Sequence, residues 1–235
     1  MFRKLYLGLS VSMLLVGCGG GGSSNNNDDD MEMVGDNCVT FPRVTTDTPP
    51  TTSRFVDFTN DPDRLLPSEF EGIQSIVFAS DTTETFNLKA DGIIDQDITI
   101  DFTIANNYRD DTRLEILLDG TVTEAIFTPY RRFAVDRVCE NQTWTNTFNS
   151  EVTIRNTAIG DLPSDTETLT WVQTIEKVNV NRTVEAGTYT TFIQRTDSGD
   201  VVSRAWIDQD SGIVVYSESR DFVGTLRETQ ELIDF

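Results

Sequence analysis

The chain has 235 residues, of which 39 are Asp or Glu and 18 are Lys or Arg, giving a formal charge of −21, and it contains no histidine. Without imidazole there is no Ser-His-Asp or Cys-His catalytic arrangement and no histidine metal site. A chain this acidic also lacks the clustered cations that binding to nucleic acid or bare anionic lipid requires.

At the start of the chain, Arg3 and Lys4 form a cationic segment and Leu5 to Val16 an apolar run. As a helix that run is about 18 Å long, too short to span a bilayer. The small residue Gly17 then precedes Cys18, completing the order of an export signal. The tetrapeptide Leu15-Val16-Gly17-Cys18 resembles the lipobox of bacterial lipoproteins. The resemblance implies removal of residues 1–17 as a signal peptide and lipidation of Cys18 by a diacylglyceryl thioether and an amide-linked acyl chain such as palmitate. Each buried CH₂ contributes about 0.8 kcal/mol, so several chains together hold a protein on a membrane where one would not. In that family Asp after the cysteine retains the protein at the inner membrane. Gly19 stands there, which implies a lipid anchor in the outer membrane of a Gram-negative cell, facing an oxidising compartment. Losing Arg3 and Lys4 leaves 16 cations against 39 acids, or −23.

Residues 18–53 read as a lipid-anchored flexible tether. Gly19 to Asp30 is GGGGSSNNNDDD, with nothing to bury and acids that repel. As a coil these residues reach about 20 Å. The acids Asp28, Asp29 and Asp30 lack the preorganised geometry a metal needs. A short strand is expected at 38–44, around Cys38-Val39-Thr40-Phe41, before the turn-rich stretch Thr45 to Ser53.

Residues 54–235 read as one antiparallel β domain. Ile98, Ile100, Phe102 and Ile104 alternate with Asp97, Thr99, Asp101 and Thr103; Leu114, Ile116 and Leu118 alternate with Arg113 and Glu115. The same period of two runs through Trp144 and Phe148 among threonines, and through Val152 and Ile154. One apolar and one polar face is the pattern of an antiparallel sheet with a solvated side, and the abundant Thr suits a pleated surface. Turn residues punctuate the runs at Asp119-Gly120, Asp197-Ser198-Gly199-Asp200 and Asp210-Ser211-Gly212. Helical signal is otherwise thin, one turn at Asp61 to Leu66 being stopped by Pro67; the tail Leu226 to Phe235 fits either a helix that pairs Arg227 with Glu231 or a last strand, and is read as the strand. The expectation is an all-β domain with roughly ten to twelve strands, in a strongly curved antiparallel sheet that forms a half-barrel or incomplete barrel. A β-sandwich is the alternative.

With Cys18 lipidated, Cys38 and Cys139 remain as an even pair. In an oxidising compartment they form a disulfide, closing a loop of about 100 residues at a stabilisation of about 4–5 kcal/mol; two independent buried thiols are the other reading.

Further on, Val184-Glu185-Ala186-Gly187-Thr188-Tyr189 leads into a strand, a second strand ends in Ala205-Trp206-Ile207-Asp208, and a Gly-containing turn precedes Ile213 to Tyr216. This order is similar to that in LolA/LolB-like envelope proteins, whose curved sheet forms a half-barrel with an apolar interior. The similarity covers mainly Val180 to Tyr216. Glu185 replaces the Pro found in many relatives, and no lid helix is evident.

No G-x-S-x-G or S-x-x-K stretch and no Gly-rich phosphate loop occurs, so the chain reads as a non-enzyme. Asp208-Gln209-Asp210-Ser211-Gly212 is partly similar to the start of a calcium loop, with Asp208 and Asp210 as candidate ligands, but an Asp-rich β-turn accounts for the same letters. The expected function is binding, on a curved sheet, of a lipid-like or apolar small molecule or of an envelope protein. Candidate contacts are Phe102, Trp144, Trp171, Phe192 and Trp206. The competing function is an interaction module with a filled core, with calcium as an added stabiliser.

Overall fold

A computed structural model describes residues 37–42, 45–59, 67–118, 120–156 and 160–235. The expected signal peptide, Cys18, the Gly/Asn/Asp tract, the expected turn at Asp61 to Leu66 and Asp119 lie outside the described residues. Fifteen strands follow in order, with no helix among the described residues. They are β1 (Cys38–Thr40), β2 (Thr51–Asp57), β3 (Glu69–Ala79), β4 (Thr83–Ala90), β5 (Ile94–Ala105), β6 (Tyr108–Leu118), β7 (Thr121–Ala134) and β8 (Arg137–Cys139). After these come β9 (Thr143–Asn156), β10 (Gly160–Asp161), β11 (Asp165–Val184), β12 (Gly187–Asp197), β13 (Val201–Asp208), β14 (Val214–Asp221) and β15 (Leu226–Asp234).

All pairings are antiparallel, in the order β9-β11-β12-β13-β14-β15-β2-β3-β4-β5-β6-β7, and β7 pairs back onto β9. The all-β, curved antiparallel reading therefore holds, and the sheet goes one step further than a half-barrel. Thr121↔Asn156 through Thr128↔Asn149 close it into a twelve-strand barrel, with β10 as a short addition beside β9. Closure removes two open edges, which would otherwise leave rows of unpaired backbone groups.

The threonines find their use on the outer face. Thr85 with Thr99, Thr143 with Thr174, Thr147 with Thr170 and Thr183 with Thr188 join hydroxyl to hydroxyl across neighbouring strands at 3.0, 3.1, 3.0 and 2.9 Å. Along β9, Thr143, Thr145, Thr147 and Asn149 face solvent while Trp144, Asn146, Phe148 and Ser150 are buried. The polar outer face of β9 is the reverse of a lipid-facing strand in a membrane-spanning barrel.

The barrel has two dissimilar poles. At one, the N-terminal segment enters, β1 pairs with β8, and the turns after β3, β5, β11 and β13 emerge. At the far pole lie the turns after β2, β4, β6, β12 and β14. The entry pole is covered. Cys38 faces Cys139 in register and is bonded to it. Phe41 is buried with its ring 4.8 Å from that of Phe192, amid Trp144, Ile175 and Ile207. The β13–β14 turn fits closely beneath this segment: a Cβ on Gly212 (φ +73°) would lie 2.3 Å from the Pro42 carbonyl oxygen, so only glycine serves there.

Candidate functional site

β6 begins with four consecutive buried residues, Tyr108 to Asp111. A strand alternates faces, so such a run is covered on both sides. Tyr108 packs with Trp144, rings 5.8 Å apart, in the core beneath Phe41. Arg109 and Asp111 meet a second core built on Ile98, Ile100, Phe102, Phe127 and Phe148.

In that second core lies a charged cluster. Arg109 donates from Nε to Asp111 Oδ1 at 2.6 Å and from Nη1 to Glu84 Oε2 at 2.7 Å. Arg131 Nη2 donates to Asp111 Oδ2 at 2.8 Å. All four side chains are at most 5% exposed. Two acids and two cations make the cluster neutral, which is the condition for tolerating buried charge. Burial pushes the Arg131 guanidinium below its ordinary value while Asp111 pulls it back up. Both guanidinium groups lie over rings: Arg109 is 4.3 Å from the Phe102 centroid, and Arg131 4.5 Å from Phe127 and 5.6 Å from Trp171. Arg prefers such faces because it is weakly hydrated and planar. Glu84 Oε1 and Arg131 Nε have no hydrogen-bond partner among the described residues.

The cluster depends on register. Asp111 stands opposite Arg131, and a shift between Asp111 and Arg113 leaves Pro129 in an irregular stretch of β7, where a residue with no N–H is tolerated. On the opposite face of the same pair, Arg132 grips Asp110 with Nε and Nη2 at 2.6 and 2.8 Å. Sequence reasoning missed these groups. The signal was present as Arg109-Asp110-Asp111 and Arg131-Arg132 in neighbouring strands, but charges in alternating runs are read as solvated unless register is known.

The expected contact residues do not gather in one place. Phe102 and Trp171 belong with the charged cluster, Trp171 standing edge-on to Phe148 at 5.2 Å. Trp144 and Phe192 belong to the core beneath Phe41. Trp206 is apart from both. Its ring is 5.2 Å from Tyr216, and Arg182 lies over the two at 4.8 and 3.8 Å. That contact clamps the tip of the β11–β12 hairpin across β13 and β14 onto β15: Ala186 N–H donates to Leu232 O, Glu185 N–H to Glu231 Oε1, and Glu185 pairs with Arg54 at 3.0 Å. The stretch from Val184 to Tyr189 and the strand end at Trp206 thus lie together in a structural corner at the entry pole.

Asp208, a candidate calcium ligand, is buried, and its Oδ2 accepts from Ser211 N–H at 2.9 Å and Ser211 Oγ at 2.6 Å, as an Asp-stabilised turn does. Asp210 is exposed in that turn. Among the described residues no three Asp, Glu, Cys or His side chains are grouped so as to hold a metal. Cys38 and Cys139 form the disulfide, 101 residues apart.

Compared with protein-family models, curated proteins and solved structures, the chain matches none of them.

Proposed function

We propose that this chain is a non-enzymatic lipoprotein of the bacterial outer membrane, held through Cys18, and that its barrel acts as a rigid interaction module rather than as a carrier of an apolar ligand. The observation that supports the second part is how the interior is occupied. Phe102, Trp144, Trp171 and Phe192 would be the contacts of a carrier. Each instead packs against the protein's own groups: Arg109, Tyr108, Phe148 and Phe41 respectively. Fully buried Phe148, Ile175 and Phe192 turn large side chains into the interior, which supports a barrel occupied by its own groups. The charged cluster also makes that interior a poor solvent for an acyl chain. The order of charges, apolar run, Gly17 and Cys18 supports the anchor.

The full chain with Cys18→Ser, titrated with N-phenyl-1-naphthylamine, is expected to give no saturable fluorescence rise in its native state. Saturable binding that a fatty acid displaces would overturn the module reading in favour of a carrier. In bacteria expressing the protein, Cys18→Ser is expected to move it from the membrane to the soluble fraction. Retention in the membrane would refute the anchor.

A further inference from the structure

Four exposed apolar side chains, the two most exposed among them, sit on three turns that are neighbours around the rim of the far pole; Val77 and Phe78 are exposed separately at the other end of β3. Phe222 is 74% and Val223 69% exposed in the turn after β14, Phe58 is 51% exposed where β2 ends, and Ile93 is 40% exposed in the turn after β4. The order β14-β15-β2-β3-β4-β5 makes these turns consecutive. Phe58 N–H donates to Arg227 O at 2.7 Å, which fixes the second beside the first. On the other half of the rim the turn after β12 presents Ser198-Gly199-Asp200, and beside the turn after β6 the one exposed large apolar side chain among the described residues is Leu117.

The leading turn is internally braced. Asp221 N–H donates to Thr225 O, and Gly224 N–H to Asp221 O. Asp221 Oδ1 accepts from Val223 N–H at 3.1 Å and from Thr225 N–H at 2.8 Å, and Arg220 Nη1 donates to Gly224 O at 3.1 Å. The backbone is held while the Phe222 ring is left to water. A ring on a preordered turn loses little freedom when it is buried, which is the property of an interface anchor. Acids flank every tip: Asp57 precedes Phe58, Asp221 precedes Phe222, and Asp91 stands two residues before Ile93. Arg220 pairs with Glu218 at 3.1 Å and Arg227 with Asp221 at 3.9 Å, so the negative field at the tips comes from exposed Asp91 and the chain's overall charge.

We propose that this half of the far pole is a docking surface for an envelope protein that presents an apolar pocket bordered by Lys and Arg side chains, with Phe222 as the anchor. The inference rests on the interaction-module reading and names where the partner sits. Charge selects the occupant. Acids around the tips, on a chain of net −21, repel anionic headgroups and a second copy of the same chain, and attract a basic rim. Position agrees with this choice. The N-terminal segment enters at the opposite pole, so an anchor on Cys18 leaves these turns facing away from the lipid.

The test uses the full chain with Cys18→Ser and, as probe, a synthetic peptide of alternating Leu and Lys, with a Leu–Glu peptide as its counterpart, both followed by fluorescence anisotropy. The Leu–Lys peptide is expected to bind and the Leu–Glu peptide not. Phe222→Ser with Val223→Ser should weaken binding tenfold or more at an unchanged melting temperature, whereas Ser198→Ala on the polar half should change it less than twofold. Equal affinity in the Phe222/Val223 variant means that only long-range charge draws the peptide, and overturns the proposal. Tip-dependent flotation with phosphatidylcholine vesicles, or tip-dependent dimerisation in sedimentation equilibrium, without tip-dependent peptide binding, overturns it as well. Failure of the module reading shows separately, as displaceable naphthylamine binding that is unaffected by Phe222→Ser.

Discussion

Asp111→Asn places the buried charges under direct strain. The Asp111 carboxylate accepts from Arg109 with one oxygen and from Arg131 with the other, and it is 1% exposed. Its neutral amide leaves Glu84 as the one acid among two cations, and turns one acceptor into a donor aimed at a guanidinium. Removing one partner from a buried ionic group costs about 3–5 kcal/mol, because the stranded charge stays desolvated. At a urea m-value of about 2 kcal/mol/M, the unfolding midpoint should fall by about 1.5–2.5 M. Trp171 lies in the same cluster, so its fluorescence and far-ultraviolet circular dichroism follow the transition together. Combining Asp111→Asn with Arg131→Met should restore part of the loss, since an uncharged side chain over Phe127 needs no counter-ion. A loss below about 1 kcal/mol in the single variant, or strictly additive losses in the pair, would refute the view that these charges depend on one another.

Replacing Cys38 and Cys139 by Ser should lower stability by about 4–5 kcal/mol in the chain-entropy account, because the bond joins residues 101 apart. A urea midpoint unchanged from the oxidised protein would reject that account. Gly212→Ala should cost more than Gly92→Ala: both glycines have positive φ, but a Cβ at 212 meets the Pro42 oxygen and one at 92 meets nothing within 4 Å. Equal melting temperatures for the two variants would mean that the N-terminal segment does not press on the β13–β14 turn. Burial raises the Tyr108 hydroxyl above its ordinary 10.0, and Asp110 adds to the rise while Gln142 and Arg132 oppose it. A raised folded value favours the neutral phenol, so this stability is present below pH 10.0 and is lost as pH climbs through the folded value. Tyr108→Phe should flatten the alkaline limb of a plot of urea midpoint against pH; the same limb in wild type and variant would exclude Tyr108 as its source.

Much of the fold was legible because β-structure writes itself with a period of two. The alternations at Ile98–Ile104 and at Trp144–Phe148 became β5 and β9 with those apolar residues turned inward. The tail became β15, and the pairing of Cys38 with Cys139 followed from the even pair left once Cys18 is set aside. These are local or compositional properties, which a sequence carries without reference to distant partners. Closure was not legible, since it depends on β7 meeting β9 after twelve strands of accumulated twist and stagger, a sum over the whole sheet. Nor was the charged cluster, because a shift of one residue between β6 and β7 would send Asp111 and Arg131 to the other face. The dispersal of Phe102, Trp144 and Trp206 among separate neighbourhoods has the same cause. Sequence determined which residues prefer a pleated wall and which of its faces is oily. Only the tertiary structure decided which of those faces meet, because register and closure are set by contacts between residues far apart along the chain.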